Sequence, residues 1–336
     1  MNRCAVPIRA AVCAALLALS GAAEAQDPQF SQSFAAPQYL NPALTGNTDR
    51  HRVVLNHRVQ WPGVQPGWTT SAFGYDHRLA GTRSGLGLHV LHDKAGRHGL
   101  YHTTVAGAYA HGIRLDRRKF LRFGLRLGWA MRGVDASGFL FADQIVREGA
   151  ARTIETGLIE RITYMDMAAG AVYHTDRYWA GVSVGHLNRP DQSLFLHQEA
   201  RLAMRTSVHG GYRFPLDGQH PDRSETRMTL AMHYKAQAKW DQLDIGGYID
   251  HKRVAAGLWY RGLPVKPYAP GHGNSEAVIV MVVFETESRL RIAYSYDITI
   301  SRRTMESGGA HELSLAYEWP QRTKGRRHAI VPCPKF

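Results

Sequence analysis

Between Leu121 and Met131 the chain alternates without a break. Leu121, Phe123, Leu125, Leu127, Trp129 and Met131 share one face, and Arg122, Gly124, Arg126, Gly128 and Ala130 share the other. Successive side chains of an extended strand point to opposite faces, so this spacing predicts a strand with one apolar face and one small or cationic face. A stretch of this length also suits a strand tilted across a bilayer. Comparable runs occur at Arg52 to Trp61, Trp68 to Leu79, Gly85 to Asp93, Tyr101 to His111, Thr163 to His174, Tyr178 to Leu187 and Met204 to Phe214. Six more follow at Arg227 to Gln237, Trp240 to Ile249, Arg253 to Arg261, Ala277 to Glu285, Arg289 to Thr299 and His311 to Trp319. That makes 14 candidate strands, an even number, and no sustained helical period interrupts them. One strand breaks the pattern: Ala277 to Phe284 is apolar on both faces. It calls for a second apolar surface, such as a plug, another chain or a filled lumen.

The connections have a pattern of their own. Those after odd-numbered strands include the long stretches 62–67, 134–162, 188–203, 262–276 and 300–310, whereas those after even strands are mostly short. Long external loops and short periplasmic turns are the habit of outer-membrane barrels, so both ends of the strand array are expected in the periplasm. Two connections depart from this, because 215–226 is long and 238–239 is short. All seven tryptophans, Trp61, Trp68, Trp129, Trp179, Trp240, Trp259 and Trp319, fall near candidate strand ends, where interfacial aromatic girdles would put them. The fold class expected is all-β: an antiparallel transmembrane outer-membrane β-barrel of about 14 strands.

The first 25 residues explain how the chain reaches a membrane. Arg3 and Arg9 flank the apolar run Ala10 to Ser20, and Ala23-Glu24-Ala25 supplies the small residues of a signal-peptidase site. Cleavage there removes Cys4 and Cys13 and leaves Cys333 as the last cysteine, which rules out an intrachain disulfide framework. The net charge of +13 would suit nucleic acid, but the cations are scattered among apolar positions and the chain is exported. The layout expected is a cleaved signal peptide at 1–25, a periplasmic plug or docking segment at 26–49, the barrel at 50–319 and a basic periplasmic tail at 320–336.

The segment after the cut has its own chemistry. Pro28, Pro37 and Pro42 fix backbone angles and remove donors, which disfavours a continuous helix or central strand. Phe30, Phe34, Tyr39, Leu40 and Leu44 can seat in an apolar site while Gln26, Asp27, Gln29, Ser31, Gln32 and Asn41 supply polar contacts. These residues either dock a partner or seal the barrel's own mouth or lumen. Arg122, Arg126 and Arg132 form a cationic face read as a hydrated, salt-bridged lumen.

The motifs QDPQFSQ, YLNPALTG and RVVLNHRVQWPGV, from Gln26 to Val64, resemble the start of the PorP/SprF family of outer-membrane proteins associated with type IX secretion in Bacteroidetes. The resemblance continues through GYDHRL, SGLGLHVLHDKAG, FLFADQI, YSYDITIS, GGAHELSLAYEW and the terminal CPKF. It implies a non-enzymatic barrel that helps export, or holds at the surface, secreted proteins bearing a type IX C-terminal signal, gliding adhesins among them. It also implies a periplasmic peptidoglycan-associated partner and contact with the secretion motor. A porin or uptake channel is the alternative on the same fold.

Catalytic chemistry finds little support. His89 with His92, and His98 with His102, have suggestive spacing, but strand positions three apart face opposite sides. Asp76-His77, Asp93 and Asp143 come with no Gly-x-Ser-x-Gly elbow. Neither a cofactor nor a metal is expected.

Overall fold

The computed structural model describes residues 27–64, 67–96, 99–135, 158–218, 224–266, 274–301, 307–319 and 331–332. Its body is a closed antiparallel barrel of 14 strands. In chain order these are β1 (His51–Gln60), β2 (Trp68–Arg78), β3 (Ser84–Ala95), β4 (Leu100–Asp116), β5 (Lys119–Gly133), β6 (Arg161–His174) and β7 (Tyr178–Gly185). The second half comprises β8 (Arg205–Pro215), β9 (Thr226–Gln237), β10 (Trp240–His251), β11 (Val254–Leu263), β12 (Asn274–Glu285), β13 (Leu290–Thr299) and β14 (Ala310–Trp319). Each strand pairs with its neighbours in sequence, and β1 closes on β14 from His51 opposite Trp319 to Gln60 opposite Ala310. All 14 segments read from the alternation are strands. The long connection after β8 and the two-residue connection after β9 are also present, so the loop-length rule is loose there and the strands stand as read.

Closure sorts the two faces of each strand. On β5 the apolar set points outward, with Leu125 64% exposed and Leu127 50%, while Arg122, Gly124, Arg126 and Ala130 point into the lumen and are buried. The outward set meets lipid, where apolar side chains cost nothing to leave exposed. On β12, Val280, Val282 and Phe284 face out, whereas Ile279, Met281 and Val283 are buried inside. The second apolar face of β12 therefore packs into a filled lumen. No described helix is long and apolar enough to cross a membrane.

The tryptophans need a correction. Trp68, Trp129, Trp240 and Trp319 are exposed on the outer surface, but Trp179 and Trp259 are buried within the lumen at 2% and 4% exposure. Trp259 lies midway along β11, and the parity of the strand fixes the face, which for both points inward.

Leu127 lies mid-strand on the lipid face, so Leu127→Arg is expected to destabilise the folded barrel by about 2–4 kcal/mol. Loss of the heat-modifiable band in electrophoresis measures this, with Leu127→Ile as the variant that keeps it.

Candidate functional site in the barrel lumen

Residues 27–49 lie inside the barrel. Three prolines leave the segment with three single helical turns, Ser33–Ala35, Pro37–Leu40 and Pro42–Leu44, so its backbone bonds close only within short turns and part of its groups stay open to the wall. The sequence reading made 26–49 a periplasmic plug or docking segment, with sealing of the barrel's own mouth or lumen as one of its two alternatives. Asp27 sits beside His186 and Gln237, at the end carrying the long connections, and the chain runs the length of the lumen to enter β1 at the opposite end. Gln26 and the signal peptide lie outside the described residues.

Wall side chains satisfy what the segment's own turns leave open. The Glu312 carboxylate accepts from two successive backbone N–H groups, Ser31 at 2.6 Å and Gln32 at 3.1 Å. The Ser31 hydroxyl donates to Asp297 (2.6 Å) and accepts from Arg58 (2.6 Å) and Arg261 (3.0 Å). Those two arginines are paired to Asp297 at 2.8 Å each, and Arg261 also to Asp244 at 2.9 Å. Gln32 Nε2 donates to Ser295 and to the Glu312 carbonyl. Asn41 Nδ2 reaches the carbonyls of Ala171 and Val182, while its Oδ1 accepts from the Ala43 N–H at 2.9 Å and so caps the last turn. At the far end of that turn Arg122 donates to the carbonyls of Ala43 (2.9 Å) and Thr45 (2.6 Å). Ser183 donates to the Leu40 carbonyl, and Gln29 bridges Glu276 and Lys235.

Apolar contacts fill the space between these bonds. Phe34 lies edge-on to Trp179, with ring centres 6.0 Å apart, and tilted against Trp259 at 6.2 Å. Leu40, Ala43 and Leu44 join the same buried cluster, with Ile279 and Met281 of β12. Phe30 packs against Ala72 and Leu91, and edge-on to Tyr39. The Tyr39 ring stacks on His89 and lies under the Arg205 guanidinium at 4.3 Å, and its hydroxyl donates to the Pro28 carbonyl at 2.6 Å. Pro42 lies against Gly124 so closely that a Cβ on that glycine would strike the Pro42 and Ala43 backbone; Gly85, Gly87 and Gly170 are wall positions approached in the same way by Gly46, Gln38 and Asn41.

The three cations singled out in the sequence divide their duties. Arg122 holds the segment, Arg126 pairs with Asp166 at 3.2 Å, and Arg132 donates to Gln192 of the β7–β8 connection. Sequence reading missed Arg58, Arg205, Arg261, Asp297 and Glu312. The signal that could have found them is the inward parity of their strands, the same test that found Arg122. The histidine pairs do not assemble: His89 points inward and is buried, His92 points outward, and His98 lies outside the described residues. Asp76 turns inward to Arg52 at 2.5 Å, whereas His77 stacks on His51. Among the described residues no three His, Cys, Asp or Glu groups could hold a metal ion.

A cavity of about 20 Å³ lies beside Asp27, Tyr39, His89, Arg126 and Asp166. It has room for about one or two waters and is too small for a hydrated solute. Both lumen ends are tied. At the β1 end Thr48 donates to Glu318 at 2.6 Å, and Asn47 accepts from the Val331 N–H at 2.8 Å, which brings the buried Val331 of the C-terminal tail under the segment. At the other end Asp27 is held by Arg205 (2.8 Å) and His186 (2.7 Å), and His186 reaches Asp166 (2.7 Å) with its second nitrogen. Burial opposes charge on His186, but the carboxylates of Asp27 and Asp166 outweigh it and push its pKa up to about 9. Burial likewise opposes charge on Asp27, and the neighbouring His186 and Arg205 cations hold its carboxyl below the usual range.

Two expectations follow from this geometry. Gly124→Val is expected to force residues 41–45 off β5 and open Asn47–Thr48 to protease while the strands still pair; Gly107→Val, at a glycine with open space, is the control. A digestion pattern identical to wild type would count against the packing. A histidine whose pKa rises on folding contributes fully below about 6.5 and loses that contribution as pH climbs through its folded value. The thermal midpoint is therefore expected to fall between pH 6.5 and the neighbourhood of 9, and this step should vanish in His186→Gln. The lowered Asp27 carboxyl acts in the opposite sense, and its contribution is lost only in acid.

The family described as type IX secretion system membrane protein PorP/SprF matches residues 22–317. No curated protein matches the chain. Among solved structures the chain is similar to the outer membrane protein Omp33 of Acinetobacter baumannii, with 7% identity over 82% of this chain and 100% of that one, at a TM-score of 0.46. It is similar also to the P. putida toluene transporter TodX, with 9% identity over 84% of this chain and 93% of that one, again at 0.46. The match over almost the whole chain, on a closed 14-strand barrel, means that this protein belongs to the PorP/SprF family and is an outer-membrane component associated with type IX secretion.

Proposed function

We propose that this barrel is a closed, non-enzymatic anchoring component of the type IX system, which helps export particular secreted proteins or holds them at the surface, gliding adhesins among them. The carrying observation is the lumen: residues 27–49 fill it, bonded to the wall along its whole length. A barrel whose inside is occupied by its own chain has only its two rims and its lipid face to offer a partner. On this reading the long connections at one end meet cargo, and the short connections at the other meet a periplasmic peptidoglycan-associated partner and the secretion motor. Residues 1–25 are removed as a signal, 26–49 act as a fixed internal plug, 50–319 form the barrel and 320–336 form a basic tail on the periplasmic side.

The porin or channel alternative needs a continuous path for solute. The tightness of the contacts around Phe34, Tyr39 and Asn41 speaks against one, as does the small size of the cavity beside Asp27. Nothing in the described lumen resembles a convergent catalytic group, and the reading gives the buried charges a holding role.

Purified protein in planar bilayers is expected to be electrically silent, whereas a chain lacking residues 27–45 conducts. Steady conductance by the intact chain would overturn the plug. Deleting the gene is expected to deplete a specific subset of surface proteins, and unchanged surface and secreted proteomes would sink the secretion role.

A further inference from the structure

The barrel rim is uneven beside β4. At the end with short connections, β3 begins at Ser84 opposite His111, but β4 continues to Asp116 and turns through Arg117 and Arg118 into β5. Residues 112–116 thus project beyond β3 as half of a hairpin. The Gly112 N–H still reaches the Arg83 carbonyl at 3.0 Å, and past it no described strand pairs with β4 on that side. Amide groups of a strand point alternately to its two sides, so with the Gly112 N–H on the β3 side Arg114 turns its N–H and carbonyl to this open edge while Ile113 turns its own to β5; the register then shifts between Arg114 and Asp116 as the strand enters the turn. An unpaired edge is a template for another strand unless it is blunted. On the outer face beside it Ile113 is 44% exposed and Leu115 56%.

The surroundings of the edge carry one sign of charge. Arg83, Arg114, Arg117, Arg118, Lys119 and Arg177 lie on the hairpin and the two flanking turns, against Asp116 and Asp176 alone. The ion pair between Arg118 and Asp176 is long, at 3.7 Å, and exposed, so it neutralises little. Arg114 tightens the turn by donating to the carbonyls of Asp116 and Arg117.

From this we infer that the β4–β5 hairpin, residues 112–119, is a docking edge that takes an extended acidic segment of a periplasmic partner protein as an added strand beside β4. Main-chain bonds would supply affinity, and side chains alternating along the added strand would supply specificity. Its apolar positions would lie beside Ile113 and Leu115, and its carboxylates beside the arginines. The inference rests on the reading above that the short connections face the periplasm.

The test uses purified full-length protein in detergent and an eight-residue peptide of alternating Glu and Val, with a Lys–Val peptide for comparison, read by fluorescence anisotropy. The Glu–Val peptide is expected to bind at least about tenfold more tightly, a difference of about 1.4 kcal/mol. Arg114→Pro removes the edge N–H and is expected to weaken binding well beyond Arg114→Ala, which loses the same side chain and keeps the N–H. Arg117→Glu combined with Arg118→Glu keeps the edge and is expected to erase the preference for acid. Equal binding of the two peptides, or equal effects of Arg114→Pro and Arg114→Ala in folded protein, would overturn the inference. In cells, a photo-crosslinker at Leu115 is expected to give a protein adduct that disappears in the Arg117→Glu, Arg118→Glu variant; adducts to phospholipid alone would assign the edge to the membrane and overturn it. Failure of the peptide assay removes the docking edge and leaves the secretion reading standing, whereas unchanged proteomes on gene deletion do the reverse.

Discussion

A segment that crosses the inside of a closed barrel must have its backbone polar groups satisfied away from bulk water, and most of this architecture follows from that constraint. Buried N–H and carbonyl groups without partners cost on the order of 1–3 kcal/mol each. The single-turn helices of residues 33–44 bond part of them internally. The rest are met by long charged or amide side chains reaching inward from the strands: Glu312 for two N–H groups, Arg122 for two carbonyls, Asp76 for the Gly46 N–H and Glu318 for the Asp49 N–H. The charges of the lumen are therefore capping groups for a foreign stretch of backbone, much as a helix end is capped by a side chain.

Those capping charges bring a second requirement. A carboxylate buried to accept from an N–H needs a cation, and that cation needs further partners, so Arg58, Arg261, Asp244 and Asp297 form one network around Ser31. Removing one partner of such a buried pair costs about 3–5 kcal/mol, because the other charge is stranded. The glycines of the wall answer the steric side of the same problem. At Gly124 and Gly170 the segment's backbone or an amide side chain comes where a Cβ would stand.

The strands were legible in the sequence because period two is written in the residues themselves, and the strong alternation of Leu121 to Met131 needs no tertiary knowledge. The two apolar faces of Ala277 to Phe284 likewise announced something to pack against. What occupied that space was harder to read, because Phe34 meets Trp179 and Trp259 across more than 140 residues of chain. The face of those tryptophans was written in strand parity, but their position near candidate strand ends suggested an interface with lipid. The motif QDPQFSQ marked the right segment, but its side of the membrane was inferred from the loops. A segment leading into β1 from the periplasmic end can still run up the lumen, and nothing in local composition separates those two paths.

The grip of residues 31–49 on β14 reaches beyond filling space. The first and last strands are the pair farthest apart in sequence, and bringing them together carries the largest chain-closure entropy of any pairing in the barrel. The segment joined directly to β1 holds Glu312 and Glu318 of β14 through Ser31, Gln32, Thr48 and Asp49, while Arg58 of β1 reaches Ser31, Asp297 and Glu312. The segment thus ties both edges of the seam with bonds that the β1–β14 ladder does not itself supply, and the seam's closure and the filling of the lumen are held by the same side chains.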